Sequence, residues 1–92
     1  MTTTISDTTL TSSAYVLIAE NVASVLLQIK DPDPARIVIA TSLPAASVVD
    51  GIVLSRDGLA EIAMNELDPT DKIYGKAIGG DTTIGGFTVA AA

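Results

Sequence analysis

The sequence predicts an all-β domain, a small antiparallel β-sandwich or barrel of about seven strands, preceded by a flexible N-terminal arm. Aliphatic and β-branched residues come in short runs such as AYVLIA, ASVLLQI and RIVIAT. Turn-forming residues separate these runs at intervals of about 8 to 12, the spacing of antiparallel sandwiches and barrels. The second run alternates with period 2, as a strand with one face on a core does.

Residues 1–13 hold six Thr and three Ser, with Ile5 and Leu10 as the sizeable apolar groups beyond Met1. Such a segment cannot bury itself and reads as a mobile arm. Thr favours extended backbone, so the arm can add as a strand to the sheet edge of a neighbouring subunit. Thr2, Thr3, Thr4, Ile5 and Leu10 are therefore candidate assembly residues.

The β-domain follows over residues 14–92, with strands expected at 14–19, 22–29, 35–41, 48–54, 59–64, 72–78 and 82–90. In 22–29, Ala23, Val25, Leu27 and Ile29 share one face, and Ser24 and Gln28 share the other with Val22 and Leu26. Asp31-Pro32-Asp33-Pro34 then forces a hairpin-like reversal, because each Pro lacks an N–H and restricts the residue before it. Ser55-Arg56-Asp57-Gly58 suits a type I turn whose glycine can take positive φ, joining 52–54 to 59–64 as a hairpin. Asp57 could instead cap a short helix carrying Leu59, Ile62, Ala63 and Leu67. The strand is preferred at 59–64 because its neighbours look like hairpin partners.

In 72–78, Lys72, Tyr74 and Lys76 point outward and Ile73, Gly75 and Ala77 inward. That leaves an aromatic between two cations, suited to an interface rim. Gly79-Gly80-Asp81 makes the last turn, and Gly85-Gly86 marks a bulge or a close backbone approach within 82–90.

The chain of 92 residues has room for one core. It carries no His, Cys or Trp, 48% apolar and 17% charged residues, and a net charge of -6. Domains this small are marginally stable without disulfides, metal or partners, so some apolar surface is expected to meet another chain. The five cations, Lys30, Arg36, Arg56, Lys72 and Lys76, are scattered along the sequence among eleven acids, which disfavours nucleic acid and anionic membranes as partners. The apolar run 14–19 ends at Glu20, well short of the roughly 20 residues a membrane helix needs, and the start MTTTISDTTLTSS lacks the pattern of a secretion signal.

A Ser or Thr nucleophile needs a base that His or Cys would supply, and a sugar cleft needs more aromatics than Tyr15, Tyr74 and Phe87, so no catalysis is expected. Asp31 with Asp33 and Asp68 with Asp71 lack the calcium-loop pattern, and turn Asp residues ordinarily bond their own backbone. The glycine pairs lack a phosphate-loop context. No cofactor or metal is expected.

The Thr/Ser-rich arm, AYVLIAENVASVLLQI, RIVIATSLPAAS, DGIVLSRDG and DKIYGKAIGG together give a layout that resembles small accessory virion proteins of tailed bacteriophages. These are compact β-domains that decorate capsids or sit at the neck and fibres. The likeness runs from Ala14 onward and rests on layout and residue texture, without a diagnostic motif. It implies a subunit made in the bacterial host cytoplasm and located in the virion. Such a subunit would be a homo-oligomer, often a trimer, that binds where major capsid subunits meet and reinforces the shell without catalysis. The interface residues would be the arm and Tyr74 with its flanking Lys72 and Lys76. A fibre, spike or collar component is the alternative within the virion, and a small carbohydrate-binding module using Tyr15 and Tyr74 is the alternative outside structural roles.

Overall fold

The computed structural model describes residues 2–91, which form eight strands and no helix. In chain order they are β1 (Thr2–Leu10), β2 (Val16–Glu20), β3 (Val22–Ile29), β4 (Ala35–Ala40), β5 (Ile52–Leu54), β6 (Glu61–Met64), β7 (Lys72–Ala77) and β8 (Thr82–Ala90). They build two four-stranded antiparallel sheets, β1-β8-β3-β6 (the first sheet) and β2-β7-β4-β5 (the second sheet). The expected all-β sandwich is the observed fold.

Among the described residues, β4 and β5 are the one consecutive pair that shares a sheet; every other connection crosses between sheets. This strand order is that of a jelly roll, the eight-stranded, double Greek-key sandwich. Two expected hairpins are therefore corrected. The 31–34 turn carries the chain from β3 in the first sheet to β4 in the second, and the 55–58 turn carries it from β5 to β6 in the same way. The local turn chemistry stands, with Gly58 donating to the Ser55 carbonyl and Ser55 to the Leu59 carbonyl. A turn's residues set its bend, but the strand that its exit pairs with is chosen by which sheet offers an apolar partner.

The inward parity of the strands supplies most of the core: Leu10 from β1, Ala19 from β2, Val25, Leu27 and Ile29 from β3, Ala35 and Ile37 from β4, Leu54 from β5, Ile73 and Ala77 from β7, and Ile84 from β8. Val22, expected on the opposite face of β3, is buried with them, because the register against β8 shifts between Val22 and Ser24. Of the expected strands, 22–29 and 82–90 coincide with β3 and β8, and 35–41 and 72–78 end one residue early. Residues 59–67 are not helical; β6 pairs with β3 from Val25↔Met64 to Gln28↔Glu61. The expected strand 48–54 shortens to β5, because Val48 gives its carbonyl to the Tyr15 hydroxyl at 2.6 Å and Val49 is 71% exposed.

The largest correction concerns the N-terminus. Thr2–Leu10 does not stand off the β-domain as an arm; it pairs with its own β8 from Thr2↔Val89 to Leu10↔Thr82. Leu10 is fully buried and Ile5 packs against the core. The next residue, Thr11, accepts a hydrogen bond at its carbonyl from the Ala77 N–H, tying the end of β1 to the other sheet. The accessible surface, 4994 Å², matches the roughly 5000 Å² of a compact monomer of 9.4 kDa, as expected with β1 folded in.

Candidate functional site

Because a strand's side chains alternate, the parity of β8 decides what the first sheet shows to solvent. Ile84 faces the core, opposite Ile29 of β3 and Thr8 of β1. Phe87 and Val89 have the other parity and lie outward, while Gly86 and Thr88 take the inward positions. No register shift separates Ile84 from Phe87 along β3, so no bulge in β8 rescues the phenylalanine for the core. The irregularity lies on the facing edge strand, between Ile5 and Thr8.

Gly86 itself has φ +154, and a β-carbon there would run into the Leu26 carbonyl oxygen. This is the close backbone approach that the glycine pair signalled.

Cross-strand registers then assemble a row on the outer face: Thr4 of β1, Phe87 of β8, Leu26 of β3 and Ala63 of β6. A second row places Thr2, Val89 and Ser24 side by side. Phe87, at 49% exposure, is the centre of an apolar patch that also includes Leu26, Val89 and Ala63. With strands about 4.8 Å apart and same-face residues about 7 Å apart, the patch measures roughly 10 by 7 Å. On one side it is bounded by the hydroxyls of Thr2, Thr4 and Ser24, and on the other by Gln28 and Glu61. An apolar centre within a polar rim is the anatomy of a protein interface.

Beyond Gln28, Lys30 reaches over Gly85 to Asp7 at 2.8 Å, joining the edge strand β1 to the end of β3. The bulge in β1 and this exposed ion pair blunt a nine-residue edge that would otherwise invite indiscriminate strand addition.

The residues singled out from the sequence separate into two places. Thr2, Thr3, Thr4, Ile5 and Leu10 lie in β1 of the first sheet. Of these, Thr2 and Thr4 border the apolar patch, whereas Leu10 belongs to the core.

Lys72, Tyr74 and Lys76 lie on β7, on the outer face of the second sheet. The expected outward parity is observed, yet Tyr74 is only 5% exposed and is no rim residue. It lies in register between Leu17 and Val38, and the connection from residue 41 to 51 is drawn back over this face by the Tyr15–Val48 hydrogen bond and by Gly51, which abuts Val38. The structure therefore does not join the two groups into one surface.

Leu26, Phe87 and Val89 carry the patch that the sequence reading passed over. The signal was present: Phe87 and Val89 cannot share a face with Ile84 unless a bulge intervenes. In comparisons with protein-family models, with curated proteins and with solved structures, nothing matches this chain.

Proposed function

We propose that this chain is a non-enzymatic structural subunit of a virion, a capsid decoration or cement protein. It assembles with copies of itself and with major capsid protein through the outer face of the first sheet. The observation that carries the reading is the placement of Phe87, Leu26 and Ala63 in one outward row inside a polar rim, in a chain whose smaller residues Gly86 and Thr88 take the inward positions of β8. A half-exposed phenylalanine at the centre of an outward apolar row is the kind of anchor that a partner's pocket takes.

The architecture supports the same reading by analogy of fold, since jelly rolls serve as viral capsid and lectin domains. Between those two uses the aromatics favour the structural one. A sugar platform needs several exposed rings, and Phe87 alone is exposed, because Tyr15 and Tyr74 are both buried.

β1 has a defined part in this scheme. It pairs in cis here, so a subunit that exchanges it would insert Thr2–Leu10 beside β8 of a second copy in the same register.

The test is to mix the purified chain with capsids lacking accessory proteins and image the particles by electron microscopy. The expected result is density at symmetric positions where shell subunits meet, in hundreds of copies, with the first sheet against the shell. Tens of copies or fewer at a neck or fibre would favour the alternative virion location. Absence of binding to any shell would overturn the proposal.

A further inference from the structure

The fold brings together two cations that are far apart in sequence. Arg36 of β4 lies directly opposite Lys76 of β7 on the outer face of the second sheet, with Val53 of β5 on the other side of Arg36. Like charges directly opposed on a sheet face destabilise it. Among the described residues no carboxylate relieves them: the one ion pair within 4.0 Å joins Lys30 and Asp7, on the other sheet.

The Arg36 Nε is shut off from solvent and has no hydrogen-bond acceptor, an arrangement that folded proteins almost always avoid. Beside the pair stands Tyr15, 4% exposed and fixed through its hydroxyl to the Val48 carbonyl, with the Lys76 Nζ 6.0 Å from its ring centroid. Lys76 therefore sits against a fixed aromatic ring, and its cross-strand neighbour Arg36 has a donor left unused.

From this we infer that Arg36 and Lys76 form an oxyanion site, one that takes a carboxylate or a free inorganic oxyanion such as phosphate. A guanidinium offers a planar fork that matches two oxygens of such a group, and the ammonium adds a point charge. An oxyanion held between the guanidinium end of Arg36 and the Lys76 ammonium would cancel the Arg36–Lys76 repulsion. The carboxylate has a ready source in a second copy, because each chain carries eleven acidic residues against five basic ones. A polyphosphate backbone is a poor fit, since its affinity needs many clustered cations and the chain's net charge is -6. The site lies on the sheet opposite the Phe87 face and stands or falls independently of any role in a virion.

The test titrates the intact chain with inorganic phosphate, at ionic strength held constant with chloride, and follows the Arg36 and Lys76 side chains by NMR. Saturable shifts at both are expected. Lys76→Met keeps the aliphatic stem and should weaken binding by about tenfold or more, and Arg36→Lys keeps the charge but loses the fork and should weaken it several-fold.

Melting provides a second readout. In chloride alone Lys76→Met should melt higher than wild type, because the repulsion is gone, while phosphate should raise the melting temperature of wild type more than that of the variant, whose rise reports only the general effect of the salt. Sedimentation distinguishes the two sources. Self-association that salt weakens, that phosphate competes away and that Lys76→Met abolishes assigns the site to a carboxylate of a second copy; phosphate binding by a chain that stays single, or whose association neither phosphate nor Lys76→Met alters, assigns it to a free anion. A chain that stays single and shows no saturable phosphate response, or variants that bind as well as wild type, would overturn the inference.

Discussion

Leu10→Ala separates a built-in first strand from a free arm. Leu10 is fully buried at the end of β1, and its Cδ1 lies 2.8 Å from where a β-carbon on Gly75 would stand. The side chain thus occupies space that the second sheet opens by having glycine there. Truncating a buried leucine removes its transfer free energy and leaves a cavity, about 3 kcal/mol or more in a site that cannot collapse.

For 92 residues, an unfolding entropy of about 2.1 cal/mol/K per residue converts each kcal/mol into about 5 °C, so Leu10→Ala should lower the melting temperature by roughly 15 °C. The assay is thermal unfolding by far-UV circular dichroism, with Leu43→Ala as control, since Leu43 is 63% exposed and its loss should cost under about 0.5 kcal/mol. A Leu10→Ala shift no larger than the control's would show that residues 2–10 are an arm after all.

Gly86→Ala should prevent stable folding or cost more than about 2 kcal/mol, because alanine is strained at φ +154 and its methyl would meet the Leu26 carbonyl; urea denaturation checks it. Thr82→Val should raise stability by about 1 kcal/mol in the same assay, since the Thr82 hydroxyl is fully buried and has no hydrogen-bond partner. The Asp68 carboxylate accepts from the Thr70 N–H at 2.9 Å and its hydroxyl at 2.7 Å, which holds its pKa below the ordinary value. A depressed folded pKa means that this turn's contribution is present above the unfolded value, near about 4, and is lost as pH falls through the folded one. Thr70→Val should move the Asp68 titration up toward the ordinary value by NMR, while the backbone hydrogen bond keeps part of the depression.

How much of this was legible in the sequence depended on local redundancy. Residues 22–29 and 82–90 matched β3 and β8 because both are rich in β-branched and apolar residues next to clear turn residues, Asp31-Pro32-Asp33-Pro34 after the first and Gly79-Gly80-Asp81 before the second. β1 was read as an arm because its hydroxyls masked an inward series, Thr3, Ile5, Thr8 and Leu10, whose alternation is broken by the bulge at Ser6-Asp7. The turns at 31–34 and 55–58 were recognised as bends, but nothing in a Pro or Gly says whether the next strand joins the same sheet or the facing one. Tyr74 was assigned the correct face and the wrong exposure, because burial there comes from the 41–51 connection, a contact distant in sequence. Arg36 and Lys76 became neighbours only through the β4–β7 register, so no linear scan for basic clusters could have paired them.

Sedimentation equilibrium of the wild-type chain beside Phe87→Ser bears most directly on the claim that the outer face of the first sheet is an assembly surface. Phe87 is half-exposed, so the variant should keep its far-UV spectrum and most of its thermal stability. The expected result is self-association of the wild type and a monomeric variant. A wild type that remains single at every concentration, or a Phe87→Ser chain that associates as tightly, would contradict it.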